Sequence, residues 1–346
     1  MVKRVFAAIL AASLVILSCG GSAAPAPASS APASAAATVS AKPTNVALKV
    51  AYSNLTNDNL SQWYAKEKGI FAENALDVEL VAIDGGSRTM AALISGDVKV
   101  AQLGGSECMS AQAGGADLAI TAVLAPVYPY HFMAAADIKT PADLKGKKIG
   151  ISSAGGSADI ATRKVLAAFN LDPDKDVVLV SLGSHEQRTA ALLAGSIQAA
   201  VDDPPNLTKL KDAGYHSLYD LAGQKLAAAN TTIVAQKAWV TANKAVMQRY
   251  VDSIVSSVAR MKKDRAGAIE VMKKYFGATA DRGYDEAYDF YLNEVTPALP
   301  FPRPELFVDA QATLSKTNPK VKDLDVKTIL DASFVQSAAD RGLDKK

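Results

Sequence analysis

Cysteine is almost missing from this sequence: Cys19 and Cys108 are the only two among 346 residues. That scarcity excludes a disulfide-stapled scaffold and a multi-thiolate metal site. Histidine is equally sparse, and His131, His185 and His216 stand at no spacing that suggests a metal centre. No Gly-x-Ser-x-Gly elbow marks a hydrolase nucleophile, and no Walker loop marks a nucleotide site. An excess of one charge is lacking too, with 37 Lys and Arg against 35 Asp and Glu. The clustered basic footprint of a nucleic-acid binder is therefore not expected. Nor is a membrane span: the apolar run 5–17, broken only by Ser13, is thirteen residues long, short of the ~20 a bilayer requires.

What is present at the front fits an export signal. Lys3 and Arg4 precede the apolar run as a positive n-region precedes an h-region, so residues 1–18 read as a signal peptide. The run ends in Leu17-Ser18-Cys19-Gly20, which resembles the lipobox of bacterial lipoproteins. That resemblance implies lipidation at Cys19, which becomes the new N-terminus and anchors the chain to the membrane. Ordinary cleavage near Ala23 or Ala24 is the alternative. Residues 19–44 are almost wholly Ala, Pro, Ser and Gly, a composition that buries too little apolar area to offset backbone ordering. They read as a tether, reaching roughly 25–30 Å as a flexible coil. With Cys19 committed to lipid, Cys108 is alone and no intramolecular disulfide can form.

The body from residue 45 onward, roughly 300 residues, is long enough for two lobes. Strand and helix signals alternate along it. Strands are expected at 48–52, 77–82, 98–103, 148–151, 177–181 and 199–201, with 231–236 returning to the first lobe. Helices intervene at 60–68, closed by Gly69, and up to Ile94, closed by Gly96. Another is expected at 157–169, with Ser157 as its N-cap and Asp159 in its first turn. Such alternation argues for parallel sheets covered on both faces. An internal echo strengthens it: Ala91-Ala92-Leu93-Ile94-Ser95-Gly96-Asp97-Val98 recurs as Ala190-Ala191-Leu192-Leu193-Ala194-Gly195-Ser196-Ile197. The echo reads as two similarly built lobes. After Asn243 the pattern turns helical, at 246–261, 266–275, 281–294 and 305–314.

Ala65-Lys66-Glu67-Lys68-Gly69-Ile70-Phe71, Ala92-Leu93-Ile94-Ser95-Gly96-Asp97-Val98, Asp143-Leu144-Lys145-Gly146-Lys147-Lys148-Ile149-Gly150 and Leu193-Ala194-Gly195-Ser196-Ile197-Gln198-Ala199-Ala200 follow in order. Together they resemble the ABC-transporter substrate-binding proteins of the nitrate, sulfonate, taurine and thiamine-precursor group. The resemblance implies an α/β, two-lobe type II periplasmic-binding-protein fold with a ligand cleft between the lobes. Its first lobe would take residues 45–136 and 229–346, the C-terminal helices packing on it, and its second lobe 137–228. It further implies a monomeric, non-enzymatic receptor held outside the cytoplasm, without cofactor or metal. Such a receptor closes on a small solute and delivers it to an ABC permease whose ATPase is a separate subunit.

In open parallel sheets, ligands bind beyond the carboxyl ends of strands, where helix N-termini gather. In the first lobe those positions hold Asn54, Thr56, Asn57, Gly86, Ser87, Gly105, Ser106 and Glu107, with Tyr128 and Tyr130 near the crossover. In the second they hold Gly155, Gly156, Ser157, His185, Arg188, Asp202 and Asp203. Gly-Gly-Ser recurs three times in these loops, and each copy is a candidate oxyanion cradle or simply a tight turn. Arg88 and Arg188 could meet an anion, whereas Glu107, Asp202 and Asp203 favour a solute with a hydrogen-bond donor. These loops therefore point to an organic solute of the sulfonate, amine or nitrogen-heterocycle class. Two alternatives remain on this fold: an enzyme of the thiamine-precursor-synthase type, with Cys108 and His185 as its only reactive pair, and a receptor for a signalling partner.

Overall fold

Among the described residues, ten strands sort into two five-stranded sheets of the same plan. The computed structural model describes residues 45–278 and 283–345, so the expected signal, Cys19 and tether lie outside the described residues. The strands are β1 (Val46–Tyr52), β2 (Leu76–Ala82), β3 (Val100–Leu103), β4 (Leu118–Val127), β5 (His131–Ala134), β6 (Lys148–Ile151), β7 (Val178–Ser181), β8 (Ala199–Asp202), β9 (His216–Asp220) and β10 (Ala227–Gln236). One sheet runs β2-β1-β3-β10-β4, the other β7-β6-β8-β5-β9. In each, three strands are parallel and the fourth in order pairs antiparallel. The chain is thus a two-lobe α/β protein of the type II kind.

The echoed octapeptides occupy equivalent places. Each closes a helix, Gly86–Ser95 or His185–Leu193, and leads into the central parallel strand of its sheet, β3 or β8. Gly96 and Gly195 take φ of 84° and 68°, a left-handed turn that glycine adopts without a Cβ penalty. Thr140 and Asp143 form a reciprocal capping box on the short turn Pro141–Leu144.

Three strands go beyond those read from the sequence. β4 is buried along almost its whole length and β5 is equally apolar, so neither carries the two-residue period that marks a half-exposed strand. β9 is a polar edge strand. Because β5 pairs with β8 and β9, the chain enters the second sheet by His131, earlier than the expected boundary at residue 137. It returns between Asp220 and Ala227.

The helical tail packs largely on the first sheet. Met247, Tyr250, Val251, Ile254 and Val258 of helix Lys244–Met261 are fully buried with Trp63, Phe71 and the β1 side chains. Ser257 Oγ donates to the Ser61 carbonyl at 2.6 Å. The expected helix at 281–294 is instead Tyr284–Phe290 followed by a wider turn, Tyr291–Val295. The segment Val308–Leu314 lies against the second lobe, where Asp309 pairs with Lys164 at 2.6 Å. No helix among the described residues is long and apolar enough to cross a membrane.

Candidate functional site

The carboxyl ends of the parallel strands in both sheets face a common cleft, and side chains from both lobes line it. From the first lobe come Ser53, Asn54, Thr56, Asp58, Gly86, Gln102, Gly104, Glu107, Asn230 and Thr231; from the second, Ser152, Ser157, His185, Arg188 and Asp203. Tyr130 at the crossover and Tyr291 of the tail complete the wall. The enclosed volume is about 30 Å³, room for a water or two, so the lobes stand shut. Contacts across the cleft hold them. Asn57 Nδ2 donates to the Pro204 carbonyl at 3.0 Å, Ser106 Oγ and Ser157 Oγ meet at 3.5 Å, and the Tyr291 hydroxyl donates to Asp203.

The three Gly-Gly-Ser loops converge, and what fills them is a protein carboxylate. A Cβ on Gly86 would sit 2.5 Å from Glu107 Oε1, and one on Gly156 3.2 Å from the same oxygen. One on Gly104 would overlap both Glu107 and Ser157. Ser106 Oγ donates to Glu107 Oε2 at 2.7 Å. Burial raises the Glu107 pKa, partly offset by that hydroxyl and by the backbone amides of Glu107 and Ser157. The expected oxyanion cradle at Gly155, Gly156 and Ser157 is therefore occupied by the chain's own Glu107. Nor is Ser157 the N-cap: that position is Gly156, and Ser157 opens the helix Ser157–Ala168.

The second lobe contributes a buried network of charges. His185 Nδ1 lies 2.9 Å from Asp203 Oδ1 and 3.5 Å from Asp202 Oδ1, all three residues being buried. Asp202 also accepts from Thr189 Oγ1 at 2.5 Å, Asn206 Nδ2 at 3.1 Å and the Asp203 amide at 2.9 Å. Burial and the neighbouring Arg188 press the imidazole towards neutrality, but Asp203 and Asp202 outweigh them and raise His185 to about 9. Burial lifts Asp203 to about 6 against the pull of His185, so near neutral pH the pair is ionic. These three side chains bring one nitrogen and two carboxylates within 4.8 Å of one another, a donor set that could hold a divalent cation. Sequence spacing could not announce it, because the imidazole and the acids meet only in space. Donors from Thr189, Asn206 and Tyr291 already serve the acids, and the adjacent Arg188 opposes a cation.

A pH dependence follows. His185 has a folded pKa raised above its ordinary ~6.5, so its stabilisation is complete below that value and lost as pH rises through about 9. The full shift corresponds to roughly 3 kcal/mol. Denaturant unfolding at pH 7 and pH 10 is expected to show a drop that His185→Gln flattens; an unchanged drop in the variant would refute the assignment.

Arg188 is the exceptional group. It is 1% exposed, and its Nη1 donates to the Gly183 carbonyl at 2.9 Å. Nε and Nη2 have no hydrogen-bond partner, and no ion pair is made by this guanidinium among the described residues. A buried cation with unmet donors costs several kcal/mol. It borders the cleft, where an incoming acceptor would meet it.

Of the other expected positions, Asn54, Thr56, Gly86, Glu107, Ser157, His185, Arg188 and Asp203 border the cleft. Asn57 lies behind it, bonded to Pro204, and Asp202 sits beneath Asp203. Of the two crossover tyrosines, Tyr128 is buried away from the cleft and Tyr130 borders it, donating to Asn230 Oδ1 at 2.8 Å. Gly105 faces Ala229 and Phe307, which leave no room for a Cβ. Ser87, Gly155 and Gly156 border a shallower recess on the far side of Glu107. Arg88 is exposed and pairs with Asp84 at 3.0 Å. Cys108 is fully buried, 3.6 Å from Thr232 Oγ1, and burial pushes its thiol up to about 12. It does not border the cleft, so the Cys108–His185 pair is not formed. Residues without a sequence signal strong enough to single them out include Gln102, Asn230, Thr231 and Tyr291. A polar side chain inside an apolar strand, as in Val100-Ala101-Gln102-Leu103, was the available signal for Gln102.

Several solved structures share this fold. The alkanesulfonate-binding protein SsuA from Xanthomonas axonopodis pv. citri, bound to MOPS, superposes with a TM-score of 0.67 at 21% identity, covering 86% of this chain and 99% of that one. The periplasmic nitrate-binding protein NrtA from Synechocystis PCC 6803 gives 0.66 at 15% identity, covering 86% and 89%. The desulfurization enzyme DSZB gives 0.61 at 17%, covering 85% and 99%. At these identities the likeness establishes the periplasmic-binding-protein fold. No curated protein matches the chain. The family described as NMT1/THI5 like matches residues 58–268, which span all of the second sheet and the cleft wall from Asp58 to Thr231. The chain is a member of the NMT1/THI5-like family.

Proposed function

We propose that this protein is the solute-binding component of an ABC import system. It captures a small organic solute of the sulfonate, amine or nitrogen-heterocycle class and presents it to a membrane permease whose ATPase is a separate subunit. The observation that carries this reading is Arg188: a buried guanidinium with two unmet nitrogens, bordering a cleft walled by both lobes. Its donors suit the acidic or carbonyl end of a solute. Because the shut cleft holds only about 30 Å³, an organic solute enters when the lobes part and is gripped as they close around it. A ligand touching both lobes stabilises the closed state by its differential affinity. The protein works as a monomer, held outside the cytoplasm by the lipid on Cys19 and the tether at 19–44, which keep it near its permease. The buried, protonated Cys108 supports binding without chemistry.

Thermal-shift screening against sulfonates, amines, pyrimidines and nitrate tests the reading. A true ligand at a hundred times its Kd adds ~2.7 kcal/mol of stability and changes the radius of gyration in small-angle scattering. A bound ligand that left the scattering profile unchanged would count against capture by closure.

A further inference from the structure

Gln102 lies at the end of β3, 1% exposed and bordering the cleft. Its Oε1 has no partner among the described residues. An amide can face either way, so the atom it offers must be settled by its neighbours. Here a chain of four side chains settles it. Asn59 Nδ2 lies 3.0 Å from the Asn54 carbonyl and 3.4 Å from that of Thr56, and carbonyls only accept. Asn59 Oδ1 therefore faces Gln62, which donates through Nε2 at 3.1 Å. Gln62 Oε1 is left to accept from the Tyr250 hydroxyl at 3.2 Å. Burial raises the pKa of that phenol, so it stays protonated with its hydrogen committed. Its oxygen accepts from Gln102 Nε2 at 3.0 Å. Asn54, by contrast, touches only Ser53 Oγ at 3.1 Å, and a hydroxyl accommodates either orientation.

We infer that the solute carries a hydrogen-bond donor opposite Gln102 as well as an acidic group at Arg188, so its class is a small organic acid bearing an N–H or O–H function. This rests on the solute-receptor reading and sharpens it. The sequence-based reason for a donor, the acids Glu107, Asp202 and Asp203, loses its force because protein donors occupy them. The polarised chain Asn59–Gln62–Tyr250–Gln102 replaces it. A donorless acid leaves a buried carbonyl unmet, and nitrate or a plain alkanesulfonate is disfavoured on that ground alone.

The test is a binding titration of the intact protein with small acids in matched pairs. Examples are 2-aminoethanesulfonate against 1-propanesulfonate and 3-aminopropanoate against butanoate, where an ammonium replaces a methyl. The donor-bearing member is expected to bind ~10–100-fold more tightly than its isostere. Tyr250→Phe frees the Gln102 amide to turn, and the ratio is expected to fall about tenfold; Gln102→Met, which has no carbonyl to offer, is expected to lower it as well. Circular dichroism confirms that each variant is folded. Equal affinities within the pairs, or a ratio untouched by Tyr250→Phe, would overturn the donor requirement and leave the receptor reading standing. A panel in which no member binds removes both.

Discussion

Replacing Arg188 by methionine is expected to weaken solute binding by roughly a hundredfold or more while leaving the unliganded protein at least as stable. Each hydrogen bond from a charged group contributes ~1.5–3 kcal/mol, and two guanidinium nitrogens await an acceptor. The same two nitrogens are unmet in the empty protein, so methionine of similar length removes a buried cation with unmet donors. Arg188→Lys keeps the charge but loses the planar fork, and an intermediate loss is expected. Binding calorimetry paired with denaturant unfolding reads both effects. Wild-type affinity in Arg188→Met would remove the group on which the functional reading stands.

A methyl group at Gly104 is expected to keep the lobes from shutting. Gly104 has φ of −69°, which alanine adopts freely, so the effect is steric. The new Cβ would overlap Ser157 of the second lobe and the Glu107 carboxylate wedged between them. Binding should weaken by roughly ten- to a hundredfold, since closure contributes most of the contacts. Small-angle scattering should show a larger radius of gyration than the wild type under the same conditions. Combining Gly104→Ala with Glu107→Ala removes one of the two obstacles and should recover part of the compactness. An unaltered radius in Gly104→Ala would mean that the interlobe contact at Ser157 does not limit closure.

The two substitutions differ in how far the sequence announced them. Arg188 was visible as a charged residue in the first turn of a helix, on a loop expected to face the cleft. Nothing in its neighbours distinguished it from Arg88, which is exposed and paired with Asp84. Gly104 belonged to a recurring Gly-Gly-Ser device, and the three copies do converge. Between a cradle and a tight turn the sequence left the choice open, and in the structure a side chain of the same chain, Glu107, fills the space among them. Expected as a wall charge, Glu107 also borders the cleft.

What the sequence determined by itself was largely governed by near neighbours: capping glycines, the alternation of strand and helix, and the echo that doubles the lobe. These depend on backbone preferences within one or two turns, which are written in adjacent residues. Only the tertiary structure decided which way the Gln102 amide points, that His185 meets Asp203, and that Arg188 goes unpaired. Each of those outcomes is set by groups distant along the chain, sharing a space from which water is excluded. There an unmet hydrogen bond costs enough to fix an orientation, and sequence order carries no record of which groups will meet.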